Sequence, residues 1–176
     1  MSNAVHGRRW SVGVLAALAG VAAFTAAPAY AGSGTSATCV NHFTSWSTPG
    51  YFVVPSSGTE TTNGETGRID CVGTIAGERV TGPGTVGFEL AYTNSTCNYA
   101  TGAGTFSATI PTTGGPQHLV GALTESSILA LNHNVDVRFP GMRYRGLGVI
   151  VPTQGTCFLT PMRKALIALT GTLTDA

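Results

Sequence analysis

Charged residues are scarce in this chain of 176 residues: they make up 10% of it, and the formal net charge at pH 7 is +1. A chain so close to neutral lacks the basic surface that nucleic-acid backbones and anionic lipids attract. Nucleic acids and membrane surfaces are therefore disfavoured as partners.

Motifs that accompany catalysis or metal binding are also missing. The sequence has no G-x-S-x-G nucleophile elbow, no C-x-x-C spacing and no pair of histidines four residues apart. We therefore predict neither a metal site nor a cofactor.

The first 31 residues have the parts of a secretory signal peptide. A basic stretch at 6–9 precedes an apolar run from Val12 to Ala27, and Pro28 is followed by Ala29-Tyr30-Ala31, whose small residues suit signal peptidase. The run of 16 residues falls short of the roughly 20 that span a bilayer, which disfavours a transmembrane anchor. We predict a signal peptide at 1–31, cleaved after Ala31.

Cleavage leaves residues 32–176 as one secreted, extracellular domain without another stretch of membrane-spanning length. The domain has 7 Lys and Arg against 8 Asp and Glu, because Arg8 and Arg9 leave with the signal peptide. These two arginines also allow a twin-arginine route beside general secretion, and the choice between the routes stays open.

Four cysteines lie in the exported part: Cys39, Cys71, Cys97 and Cys157. An even number in a small exported domain predicts two disulfides, and three pairings are possible. The alternatives are weaker, because a nucleophilic Cys157 thiol would tend to oxidise outside the cell and zinc ligation lacks its usual spacing.

Glycine and threonine dominate the domain, which holds 21 of the 24 glycines. This composition favours short strands and tight turns over helices. Period-two alternation is clearest at Thr85–Thr93, and 165–173 is interpreted as a strand rather than a short helix. Further strands with inward apolar residues are predicted at Ile69–Ile75, Thr105–Ile110, Leu119–Leu123, Val135–Phe139 and Leu147–Val151.

Regular strand spacing predicts an all-β fold, a single antiparallel barrel of about eight strands. Closure removes exposed edges, and interior positions that mix Gly and Ala with Phe and Leu suit a curved interior. A two-sheet β-sandwich is the alternative. Residues 33–57 form either a first strand pair or an aromatic flap, and 58–66 is predicted to be a polar loop.

Several polar groups could be assembled into a site. Ser126 or Ser127 with His133 and Asp136 would make a catalytic triad on paper, although surface positions are favoured.

Asn132, Asn134 and Asp136 resemble the front of a calcium loop but lack its glycine and closing glutamate, which favours a polar strand face. His42, His118 and His133 stand at no metal-binding spacing. Paired carboxylates for glycoside hydrolysis would come from Glu60, Glu65, Asp70, Glu78, Glu89, Glu125, Asp136 and Asp175.

The densest aromatic cluster, Trp46, Tyr51 and Phe52, is the candidate ligand-binding site. Exposed rings on a β scaffold can stack on the apolar faces of sugars and other ligands. Burial of the same rings over the core is the favoured alternative, because a domain of this size is short of apolar core.

Four segments resemble small exported actinobacterial β-proteins without assigned activity. They are Ala29-Tyr30-Ala31, Cys71-Val72-Gly73-Thr74, the strand from Gly102-Ala103-Gly104 to Pro111, and Gln154-Gly155-Thr156-Cys157. The resemblance implies export and β structure and carries over no catalytic residue.

Three functions remain open. The first is a non-catalytic domain that binds a small ligand or a surface glycan, which requires an exposed aromatic platform or an apolar concavity. The second is a small hydrolase or isomerase at the barrel mouth, which requires titratable side chains that converge in one pocket. The third is a structural, envelope-associated protein with an exposed apolar patch.

Overall fold

The computed structural model describes residues 34–128 and 132–176, so the predicted signal peptide at 1–31 lies outside the described residues. The described residues form ten strands, and among them no helix is long and apolar enough to cross a membrane. The strands are β1 (Ser36–Tyr51), β2 (Ser56–Thr61), β3 (Gly67–Ile75), β4 (Glu78–Arg79), β5 (Gly84–Ser95), β6 (Tyr99–Thr112), β7 (Gly115–Ile128), β8 (Asn132–Phe139), β9 (Met142–Gln154) and β10 (Met162–Asp175).

One antiparallel sheet contains all ten strands and closes in a ring of eight. β1 closes the ring by pairing with β10, from Ser36 opposite Thr174 to Tyr51 opposite Met162. β2 and β3 share one place in the ring, because each pairs with one half of β1 and with part of β5. The predicted all-β fold with a single closed antiparallel sheet is confirmed.

Alternate side chains of each strand fill the interior of the ring. β5 follows the predicted pattern, with Val86, Phe88, Leu90 and Tyr92 all buried. Polar side chains are buried too: the Asn41 amide nitrogen donates a hydrogen bond of 2.7 Å to the Tyr144 hydroxyl inside the ring. Most of the other buried polar groups lie towards the end where β1 finishes, here called the Tyr51 end.

The inward face predicted for β9 is wrong. The three apolar residues predicted to face inward are exposed on the outside of the ring, at 54%, 40% and 51%: Leu147, Val149 and Val151. Gly146 and Gly148 face inward instead, because neighbouring atoms occupy the space of a side chain. An added Cβ would lie 2.7 Å from the Tyr144 hydroxyl at Gly146 and 1.9 Å from the Ala168 carbonyl oxygen at Gly148.

Two segments are more regular than the sequence indicated. Residues 33–57 contain the 16-residue strand β1. The predicted loop at 58–66 begins with the second half of β2, which carries a buried glutamate, Glu60.

Two disulfides form, as predicted, and the pairing is now assigned. Cys39 and Cys71 are directly opposite on β1 and β3, with Cα atoms 4.0 Å apart. Cys97 and Cys157 join the turn between β5 and β6 to the connection between β9 and β10 at the Tyr51 end. Both bonds are compatible with an extracellular protein.

Candidate functional site

Four titratable side chains are buried together inside the Tyr51 end of the ring. They are Tyr51, Glu60, Glu125 and His133, here called the acid cluster. Each is less than a tenth exposed. Burial of one such group is costly, and burial of four in one region is unusual for a structural core.

A bulge in β1 sets the position of Tyr51 along β10. Trp46 lies opposite Lys164 and Tyr51 lies opposite Met162, so five steps along β1 match two along β10. Gly50 completes the bulge with a φ of 110°, and a Cβ there would lie 2.8 Å from the Met162 carbonyl oxygen. Bulges commonly re-aim a side chain beside a functional site.

Tyr51 is held on both sides. Its hydroxyl donates a hydrogen bond of 2.6 Å to Oε2 of Glu60. Its ring stacks on Tyr92, with ring centroids 4.3 Å apart, and the Tyr92 hydroxyl accepts a hydrogen bond of 3.2 Å from the Gly50 amide. The phenol is therefore fixed in orientation rather than free to rotate.

Glu125 and His133 form the second pair of the acid cluster. Glu125 lies on β7 and His133 on β8, and Oε2 of the glutamate is 3.5 Å from Nε2 of the imidazole. The other ring nitrogen, Nδ1, is buried without a hydrogen-bond partner. Buried nitrogens are rarely left in this state, and such an exception needs an explanation.

The pKa values of the cluster move toward neutral forms. Burial raises the pKa of Glu60, although hydrogen bonds from Tyr51 and Ser45 oppose the rise. Burial and the charge of Glu60 raise the pKa of Glu125 well above its usual range. Burial lowers the pKa of His133 to about 4. Burial thus favours the neutral forms of Glu125 and His133 over an ion pair.

Tyr51 links the two pairs electrostatically. Burial raises its pKa, and the charges of Glu60 and Glu125 both raise it further. Because the charge of Glu60 also raises the pKa of Glu125, the ionisation of one carboxyl group changes that of the other acids of the cluster.

Little space adjoins the cluster inside the ring. Glu125 and His133 line a cavity of about 10 Å³, the size of a single water molecule, together with apolar side chains of β1, β5, β6, β8 and β10. A cleft of about 350 Å³ lies at the same end of the ring, outside the interior. Its walls are formed by Gln154, Gly155, Thr160, Pro161 and Arg163.

The predicted aromatic site does not form an exposed platform. Tyr51 is buried in the acid cluster. Trp46 is half-buried, and the Lys164 ammonium lies 4.1 Å from its ring centroid. Phe52 is half-buried, and its carbonyl accepts a hydrogen bond of 2.9 Å from the Cys97 amide. A ligand-binding role for these residues stays a prediction.

The residues of the hypothetical catalytic triad lie on opposite faces of the sheet. Ser127 and His133 lie directly opposite on β7 and β8 and are both buried. Ser126 and Asp136 lie on the outer face of the same strands, where Asp136 pairs with Arg143. Glu125 takes the place next to His133 that the sequence offered to Asp136.

Other candidates are dispersed. His42, His118 and Glu89 are exposed. Asn132 and Asn134 lie on the outer, polar face of β8, as expected. Within the part of the chain that the structure describes, no group of three or more His, Cys, Asp or Glu side chains could hold a metal ion.

Comparison with known proteins adds no relative: no family matches this chain, and neither a curated protein nor a solved structure is significantly similar to it.

Proposed function

We propose that this protein is a small exported enzyme that moves a proton within a small, largely apolar substrate, an isomerase acting at the Tyr51 end of the ring. One observation supports this most directly: two carboxyl groups, a tyrosine hydroxyl and a neutral histidine are buried together there. Such groups destabilise a fold and cluster where shifted pKa values serve catalysis.

Glu125 is the candidate base. A carboxyl group whose pKa is raised towards neutral can both accept a proton from carbon and return it. In its ionised form Glu125 would remove a proton from a carbon next to a carbonyl, and the resulting carboxylic acid would deliver it to another carbon of the same molecule. The electron pair of the broken C–H bond forms the enolate, and the enolate then uses an electron pair to form the new C–H bond as the double bond shifts. No water or nucleophile is consumed.

Tyr51 and Glu60 would stabilise the intermediate. Negative charge develops on the substrate's carbonyl oxygen when the proton leaves carbon, and preorganised donors in a dry site stabilise it strongly. When Glu60 is protonated, its hydroxyl can donate to Tyr51, which frees the tyrosine hydroxyl to donate to that oxygen. A neutral carboxylic acid paired with a tyrosine is a known way to provide such donors.

Access requires the Tyr51 end to open. The cavity beside Glu125 and His133 holds no more than a water-sized group. Between Trp46 and Tyr51 the regular ladder of β1 with β10 is interrupted, which makes this stretch the candidate opening. The cleft outside adjoins the same stretch, because Arg163 donates a hydrogen bond of 3.1 Å to the Pro49 carbonyl.

A hydrolase is the second candidate, and Ser127 favours it. Its side chain is buried directly opposite His133, whose Nδ1 has no partner and whose Nε2 faces Glu125. Serine, histidine and glutamate are therefore neighbours, as nucleophilic catalysis requires, although the glutamate faces Nε2 and Ser127 makes no hydrogen bond to Nδ1. The strained elbow that usually presents such a serine is absent from this regular strand.

Hydrogen–deuterium exchange tests the isomerase. A panel of β,γ-unsaturated ketones in D₂O, followed by proton NMR, should show a catalysed shift of the double bond into conjugation or catalysed exchange at carbon, above the rate without protein. The Glu125→Gln variant should lose it, whereas Glu89→Gln, a change at an exposed residue of β5, should keep it.

The outcomes separate the candidates. Hydrolysis of p-nitrophenyl acetate that is lost in Ser127→Ala, without carbon exchange, would favour the hydrolase. A compound that binds without turnover would return the domain to the non-catalytic binding hypothesis, and no binding or turnover across the panel would contradict the proposed enzyme.

A further inference from the structure

Three arginines surround one carboxylate on the outer face of β8 and β9. Asp136 accepts hydrogen bonds of 3.0 Å from Nε of Arg143 and is also contacted by Nη2 of that residue. Nε of Arg145 lies 3.8 Å and Nε of Arg138 lies 4.0 Å from its oxygens. These four side chains carry a net charge of about +2, since arginine stays protonated and aspartate ionised near neutral pH.

Asp136 balances only part of the positive charge of the three arginines. Arg138 and Arg143 are directly opposite on neighbouring strands, where like charges destabilise a sheet. The Arg143 hydrogen bond holds the pKa of Asp136 below its usual range, so this carboxylate stays ionised and engaged with Arg143. The other two guanidinium groups face solvent, because the Arg138 and Arg145 side chains are 75% and 66% exposed.

A polar groove lies beside these arginines. It has a volume of about 390 Å³, within the size range of small-ligand sites. Thr124, Ser126 and Asn134 bring hydroxyl and amide groups to its lining and Arg145 brings positive charge, while the Asp136 carboxylate, which also lines the groove, is paired with Arg143. Register explains the proximity: Thr124 is opposite Asp136, which is opposite Arg145 on the next strand.

We propose that this groove binds an acidic saccharide, with the carboxylate of a uronic acid held by Arg145 and the sugar hydroxyls held by Thr124, Ser126 and Asn134. A guanidinium fork matches a carboxylate in two parallel hydrogen bonds. Arg138 adds attraction at the edge of the groove. The site lies on the outer face of the sheet and Glu125 points to the inner face, so this binding does not depend on the proposed enzyme.

The test uses a pair of ligands that differ only in charge. Tetragalacturonate and its fully methyl-esterified form are titrated into the ¹⁵N-labelled domain. The acid should bind and shift the amide signals of Thr124, Ser126, Asn134 and Gly146, while the ester should bind at least about ten-fold more weakly. A sulfated galactan oligosaccharide of equal length shows whether sulfate can replace the carboxylate.

Three variants assign the charge. Arg145→Gln should weaken binding of the acid by at least about ten-fold, and Arg79→Gln, far from the groove, should not. Asp136→Asn removes the carboxylate that competes for the arginines and should tighten binding. The proposal would be overturned by equal affinity for acid and ester, by shifts elsewhere on the surface, or by no binding at all. Binding of the sulfated oligosaccharide alone, or weaker binding in Asp136→Asn, would also overturn it.

Discussion

Tyr51 and Glu60 meet through a hydrogen bond of 2.6 Å inside the ring, although their strands pair over only three residues, Trp46–Thr48 with Thr59–Thr61. Alternation along β1 from Ser45 and Ser47 already turns Tyr51 inward, and the bulge that follows the short ladder places it opposite Met162 of β10. The position of Tyr51 along the ring therefore depends on an irregularity of the strand.

Removing the Tyr51 hydroxyl should destabilise the fold. In Tyr51→Phe the buried Glu60 keeps the Ser45 hydrogen bond but loses that of Tyr51, and removing one partner of a buried polar group costs about 1–3 kcal/mol. The free energy of unfolding in urea measures the loss. Tyr99→Phe is the matched control because Tyr99 is exposed, and equal stability of the two variants would contradict the assigned hydrogen bond.

Glu125 should make stability depend on pH. Its folded pKa is raised, so between the unfolded and folded pKa values the folded chain binds more protons. The free energy of unfolding then falls as pH rises through this window, by at most about 1.4 kcal/mol per pH unit for one group.

Glu125→Gln should therefore gain stability over the wild type as pH rises above the unfolded pKa of about 4.3, until the folded pKa is passed. Urea unfolding across this range checks it, with the exposed Glu89→Gln as control. A constant difference between Glu125→Gln and wild type would show that Glu125 is not the titrating group.

His133 should change the free energy of unfolding with pH in the opposite direction to Glu125. Its folded pKa is lowered to about 4. An unfolded histidine has a pKa of about 6.5, so between these values the unfolded chain binds more protons and stability rises with pH. NMR of the imidazole should show no protonation of His133 until pH approaches the lower value. A transition near the unfolded value would mean that the ring is open to solvent.

Part of the acid cluster could have been found by extending the alternation of the strands. Leu119 and Leu123 were predicted to face inward, and two steps further place Glu125 on the same face. Val137 and Val135 were predicted in the same way, and two steps back place His133 inside. The apolar alternation ends at Leu123 and begins at Val135, so apolar residues alone do not indicate either polar position.

Glu60 could not be found in this way. It lies in a stretch of Ser, Gly and Thr that has the composition of a loop, and its burial depends on long-range pairing of β2 with both β1 and β5. The inward face of β9 was missed for a related reason. Apolar side chains normally indicate the interior, but at Gly146 and Gly148 the neighbouring atoms leave no room for a side chain, whereas Met142, Tyr144 and Ile150 occupy the rest of the inner face.

Gly148 tests that explanation. In Gly148→Ala the new Cβ would lie 1.9 Å from the Ala168 carbonyl oxygen, so the backbone of β9 or β10 must move. Overpacking of this kind costs about 1–3 kcal/mol, and we expect a loss at the upper end because the contact is with backbone and not with a flexible side chain. Gly82→Ala is the matched control, since its Cβ would approach only Pro111, at 3.9 Å.

The control should be neutral or slightly stabilising, because alanine restricts the unfolded chain by about 0.4–1 kcal/mol. The two variants are thus expected to change the free energy of unfolding in opposite directions, which thermal or urea unfolding resolves. If Gly148→Ala were as stable as Gly82→Ala, close backbone approach could not be the reason that Leu147, Val149 and Val151 face outward.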